Sequence, residues 1–200
     1  MKKYLFFLVL LLPGFTYGLG GDSLSSPITL SLFSNATKLP GSGFAGVLNT
    51  PIHPGFTVGK EFRYKQTETN CLFQTIKLGY FYHRLAQHAI MLFTEGGYRH
   101  TFKCGFSMQS LLGAGYLHSI PDLEKFEQDD SGEYIRVGRF GRPQGMAGLT
   151  LGIGYDICKS HPMRIGLDYQ VWFQFPFVAE YVPVLPNNAL HLTFSCSLSK

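Results

Sequence analysis

The tightest constraint on how this chain can fold is the stretch MRIGLDYQVWFQFPF, residues 163–177. Every second residue gives Met163, Ile165, Leu167, Tyr169, Val171, Phe173 and Phe175 on one face. Arg164, Gly166, Asp168, Gln170, Trp172 and Gln174 fall on the other. A period of two with one apolar and one polar face predicts a β-strand. At about 15 residues it is far longer than the common five or six. Which solvent each face meets then decides the class of the protein.

The same alternation recurs along the chain. Gly55–Tyr64 sets Phe56, Val58, Phe62 and Tyr64 against Thr57, Gly59, Glu61 and Arg63. Cys71–His83 sets Leu72, Ile76, Leu78, Tyr80 and Tyr82 against Thr75, Lys77 and Gly79. His88–Arg99 opposes Ile90, Leu92 and Tyr98 to Glu95, Gly97 and Arg99. Lys103–His118 opposes Phe106, Met108, Leu112 and Tyr116 to Lys103, Gly105, Ser107 and Gln109. Pro143–Cys158 and Ala189–Leu198 continue the pattern, with Thr150 and Asp156, then His191, Thr193 and Ser195, on the polar side. The first wall strand is either Phe44–Thr50 or Ile28–Phe33. Gly-Tyr pairs at 79–80, 97–98, 115–116 and 154–155 fix one register, with Gly on the polar face and Tyr on the apolar one.

Composition decides which face is inside. Charged residues are 15% of the chain, against about 25% in soluble domains. The polar faces carry mostly Gly, Ser, Thr and Gln, whereas a water-facing surface would carry Lys and Glu. Glycine weakens an exposed strand but fits the crowded interior of a narrow barrel. Phe and Tyr gather near strand ends, as interfacial girdles do. Lipid contact demands closure, because open strand edges cannot be satisfied in hydrocarbon. The expectation is an all-β, closed, antiparallel up-and-down transmembrane β-barrel of about eight strands. The alternative is a soluble exported barrel that binds a small hydrophobic ligand. A net charge of +4 without a Lys/Arg run excludes nucleic acid as a partner class.

Residues 1–18 read as a cleaved signal peptide: Lys2 and Lys3, then an apolar run over Tyr4–Leu12, then small residues at Thr16 and Gly18. Residues 19–42 form a polar N-terminal segment and 43–200 the barrel. With both termini in the periplasm, the connections at 66–70, 100–102 and 159–162 are periplasmic and short. Those at 84–87, 119–142 and 178–188 are external, and two of them are longer, the usual asymmetry.

Over residues 43–200 the chain resembles the small outer-membrane barrels of the OmpA/OmpX type. HPGFTVGKEFRY, KLGYFYH and VPVLPNNALHL are also similar to uncharacterised barrels of Bacteroidetes-type bacteria. The resemblance implies the outer membrane of a Gram-negative cell, contact with its lipid and lipopolysaccharide, and insertion by the barrel assembly machinery. It departs from the pattern at its end, Leu198-Ser199-Lys200, where such barrels carry an aromatic residue.

The polar faces bring Glu61, Glu95, Asp156 and Asp168 into one lumen with Arg63, Lys77, Arg99, Lys103 and Arg164. This near balance of sign predicts an ion-paired plug, with a proton or ion path as the alternative. Trp172 falls inside the outer mouth. Arg136, Arg139 and Arg142 end the long external loop and are candidates for lipopolysaccharide phosphates or an extracellular partner, or are simply solvated. All four cysteines map to the periplasmic rim, where Cys104 and Cys158 sit on neighbouring strands as either a disulfide or free thiols. His118-Ser119 lies where the His/Ser chemistry of barrel lipid A deacylases would act, but adjacent strand residues point to opposite faces. His83, His88, His100 and His191 lie on different strands without metal-ligand spacing. The reading is a barrel of structural or binding role, with no catalytic residue, metal or cofactor; the alternative is a lipid-modifying hydrolase.

Overall fold

The computed structural model describes residues 26–38, 51–128, 132–137, 140–158, 163–177 and 181–197. Residues 1–18, read above as a signal peptide, lie outside the described residues. Among the described residues there are ten strands: β1 (Ile28–Ala36), β2 (Pro54–Gln66), β3 (Asn70–His83), β4 (Gln87–Thr101), β5 (Phe106–Pro121), β6 (Lys125–Gln128), β7 (Tyr134–Val137), β8 (Arg142–Cys158), β9 (Met163–Phe175) and β10 (Leu185–Cys196). Eight of them close into one barrel in the order β1-β10-β9-β8-β5-β4-β3-β2, while β6 and β7 form a separate hairpin in the long loop. Each strand runs antiparallel to its neighbours.

Closure is made by β1 against β10, in register from Ile28↔Cys196 to Ala36↔Asn188. The wall therefore opens with the Ile28–Phe33 stretch. Phe44–Thr50, the other candidate, lies outside the described residues. This corrects the boundary at residue 43: the segment assigned to a separate N-terminal stretch supplies the closing strand. Its alternation suits the place, with Thr29, Ser31 and Asn35 buried and Ile28, Leu30 and Leu32 exposed.

The two faces separate as the alternation predicts. Leu30, Leu78, Leu92, Leu112, Leu151 and Leu192 are all exposed, Leu112 to 71%. Glu61, Thr75, Glu95, Thr150 and Gln170 are all buried. An apolar outer band around a polar interior is the arrangement of outer-membrane-type barrels, and closure pairs every wall strand on both edges. The protein is a closed transmembrane β-barrel, and this surface places it in an outer membrane, crossed by strands. No helix among the described residues is long and apolar enough to cross a membrane.

The turns at 67–69 and 102–105, and the ends of β8 and β9 that the chain joins, lie at the end where β1 begins and β10 finishes. The connections at 84–86, 122–141 and 176–184 lie at the other end, with that between β1 and β2. The short turns mark the periplasmic side. Two strand limits differ from expectation. Lys103 is not on a lumen face: it is exposed in the turn 102–105, where Gly105 takes φ 87° and ends the extended run. At the other side, β10 begins at Leu185, so Asn187 and Asn188 belong to the wall and are buried.

Inward glycines make the narrow interior possible. A Cβ on Gly152 would lie 1.8 Å from Asp168 Oδ1, and one on Gly115 would lie 2.3 Å from Phe93 Cβ and 2.4 Å from the Leu92 carbonyl oxygen. The space a larger residue would need is filled by side chains on the neighbouring strands.

Candidate functional site

The lumen is layered. Its periplasmic half is ionic. Glu61, on β2, is bridged by two guanidiniums: Arg99 donates to both carboxylate oxygens at 3.1 and 2.7 Å, and Arg63 Nε donates at 2.9 Å. Arg99 also lies over the Phe73 ring, 4.1 Å from its centroid. Deeper in, Glu95 on β4 accepts from Lys77 Nζ at 2.5 Å, Thr150 Oγ1 at 2.7 Å and Gln170 Nε2 at 3.1 Å. Those donors come from β3, β8 and β9, so one carboxylate ties together opposite sides of the barrel. Asp168 pairs with no cation among the described residues. It accepts from Gln109 Nε2 and Thr193 Oγ1, each at 2.7 Å. Near the mouth, Arg164 donates to Asp156 through Nε at 2.7 Å and Nη2 at 3.0 Å. Of the nine residues expected to share the lumen, eight do, as three separate ion-pair groups and one neutral-partnered aspartate. Lys103 does not.

The external half of the lumen is apolar, which the polar reading of these faces missed. Phe33, Phe81, Ala89, Met91, Phe93, Leu117, Met146, Trp172 and Ala189 form one buried cluster. Trp172 is 1% exposed, meets Phe81 edge-on at 5.9 Å and donates its indole N–H to Asn35 Oδ1 at 3.2 Å. His191 is buried where the two halves meet, stacked on Phe33 at 4.6 Å. Above the aromatic layer a glutamine cluster caps the outer mouth. Gln87 and Gln174 exchange amide hydrogen bonds at 3.1 Å, Gln174 donates to Gln144, and Ser119 donates to Gln87.

At the periplasmic mouth the lumen widens into a cavity of about 490 Å³, lined by Arg63, Arg99, Arg164, Glu61 and Asp156, with Glu68 at its rim. Further in, a space between Glu61, Lys77, Arg99 and Asp168 measures about 20 Å³, room for one water and no solute.

On the outward face, near the external rim, Asp122 joins three elements. Its carboxylate accepts from the Leu85 backbone N–H at 2.9 Å, Tyr82 Oη at 3.1 Å and His88 Nε2 at 3.2 Å. Because Nε2 donates, His88 Nδ1 accepts from the Tyr80 hydroxyl at 2.8 Å. The Leu85 N–H, followed by the Tyr82 and His88 donors, holds the Asp122 carboxyl below the usual carboxylate range. A depressed folded-state value means the contact is fully present above the ordinary carboxylate pKa of about 3.9 and is lost as pH falls below it. The protection factor of the Leu85 amide, its exchange rate referred to the intrinsic rate at each pH, should therefore be high at neutral pH and fall in acid. D122N should lower that protection factor at neutral pH and remove its fall in acid.

The remaining candidates separate. His118 faces outward, bonded to Tyr116 Oη at 2.9 Å and near the Phe140 carbonyl at 3.2 Å, whereas Ser119 is buried inside. Arg142 starts β8 at the outer mouth, its guanidinium 6.0 Å from the Phe177 ring centroid. Arg136 lies in β7, and Arg139 lies outside the described residues. Cys104 is a free, exposed thiol, the second of the two alternatives for it, and the Cys158 side chain lies outside the described residues. The turn that carries Cys104 is turned out to solvent.

No protein-family model matches the sequence, and no curated protein matches it. Among solved structures, the chain is similar to the outer membrane enzyme PagL (9% identity, 86% of this chain and 99% of that one, TM-score 0.48). It is similar to Ail, the attachment invasion locus protein of Yersinia pestis (11% identity, 86% and 97%, TM-score 0.45). It is also similar to Neisserial surface protein A (9% identity, 86% and 96%, TM-score 0.46).

Proposed function

We propose that this protein is a non-conducting outer-membrane barrel of structural or binding role, of the OmpA/OmpX-like kind, with its lumen as a rigid core and its external loops as the contact surface. One observation carries the reading: the buried aromatic layer around Trp172, capped by Gln87, Gln144 and Gln174, fills the external half of the lumen among the described residues. An eight-stranded barrel is just wide enough to be filled by its own side chains. Placement of His118 and Ser119 on opposite faces favours binding over hydrolysis. The partners on this reading are outer-membrane lipid and lipopolysaccharide, with the barrel assembly machinery for insertion. Reconstitution into planar bilayers tests it. The expected record has no open-channel steps across neutral pH and either voltage polarity. A steady unitary conductance would contradict the plug.

A further inference from the structure

The periplasmic cavity has a chemistry that the plug does not use. At about 490 Å³ it falls within the range of small-ligand pockets, and it is blind, floored by the Glu61–Arg99 pair. Three guanidiniums line it against two buried or half-buried carboxylates, and both carboxylates are already committed. Glu61 is shared by Arg63 and Arg99, and Asp156 occupies the Nε and Nη2 edge of Arg164. Glu68, the remaining acid, is exposed at the rim. Arg164 Nη1 is buried and has no hydrogen-bond partner among the described residues. A buried donor on a charged group is expensive to leave unmade, and such groups in native proteins call for an explanation. Arg63 offers its guanidinium from the facing side of the same cavity, anchored through Nε to Glu61 and through Nη1 to Gln66 at 3.3 Å. Hydroxyl and amide groups of Thr67, Asn70, Thr101 and Ser195 complete the lining.

We propose that this vestibule binds the oxyanion group, carboxylate or phosphate, of a small periplasmic solute, held by Arg164 Nη1 and Arg63. Arg164 Nε and Nη2 hold Asp156 and Nη2 also reaches Thr101 Oγ1 at 3.5 Å, so Nη1 is the donor left for a second oxyanion. The ligand enters and leaves by the periplasm, since the aromatic layer closes the other end. The site stands independently of what the external loops contact.

The test uses the full chain in detergent micelles with ¹⁵N-labelled arginine. Side-chain Nε–H signals are followed while sodium succinate, or separately sodium phosphate, is added at constant ionic strength. The expected result is a saturable shift of the Arg164 and Arg63 signals with a Kd of about 1 mM or tighter. R164Q should weaken it at least about tenfold, and R142Q, at the opposite mouth, should leave it unchanged. Saturation by one probe alone supports the site and names its oxyanion. Should R164Q fail to fold, as read from loss of the heat-modifiable band, R63Q serves in its place. Shifts that stay linear with both probes in the unaltered protein, or saturation equally strong in the folded arginine variant, would overturn the proposal.

Discussion

Replacing Glu95 by alanine destabilises the barrel by about 3–5 kcal/mol, read as a lowered urea midpoint for unfolding from lipid vesicles. Glu95 is 1% exposed and holds Lys77, Thr150 and Gln170 from three other strands. Its removal leaves the Lys77 ammonium buried without its counter-charge, and that uncompensated charge is the larger part of the cost. The double variant E95A/K77M separates the two effects. With both charges gone, most of the loss should be recovered, because two solvated ions no longer need to be taken out of water. A double variant as unstable as E95A would mean that the Thr150 and Gln170 hydrogen bonds, not the charge, carry the effect.

Replacing Trp172 by alanine costs about 3–5 kcal/mol by a different route. The indole is the largest fully buried side chain among the described residues and packs in the external half of the lumen against Phe81. Its neighbours sit on a closed wall whose strands cannot collapse inward without breaking register, so the cavity persists. The indole bond to Asn35 is also lost. W172F should recover most of the stability while lacking that bond. The two variants, measured by the same urea titration, divide packing from hydrogen bonding.

The wall was legible because one rule governs it. The outward face meets a uniform apolar solvent, so alternation along 163–177 and the Gly-Tyr register translate directly into facing. The interior obeys no such rule. Phe81, Phe93 and Trp172 point inward on the same strand faces as Lys77, Glu95 and Asp168, so a face read as polar is apolar over half its length. Partners within the lumen were legible as a set but not as pairs. Arg99 on β4 reaches past β3 to Glu61 on β2, and such reach depends on strand stagger, which spacing in the chain does not carry. Lys103 misled because the turn 102–105 continues the alternation of β5. Only the positive φ of Gly105 breaks it. The closing strand was ambiguous because Ile28–Phe33 is short and sits beside a second alternating stretch. Its choice is made by pairing with β10, a contact across nearly the whole chain. The vestibule could not be foreseen, since it arises from the gap between turns.

The central claim is that the apolar face meets lipid and the polar face lies inside a filled lumen. The chain has one tryptophan, Trp172, on the inner face. Leu92 is on the outer face, 46% exposed. Tryptophan fluorescence is measured in vesicles of brominated lipid for the unaltered protein and for L92W/W172F. The account predicts weak quenching of Trp172 and strong quenching at position 92. Equal quenching at the two positions, or quenching at neither, would contradict it.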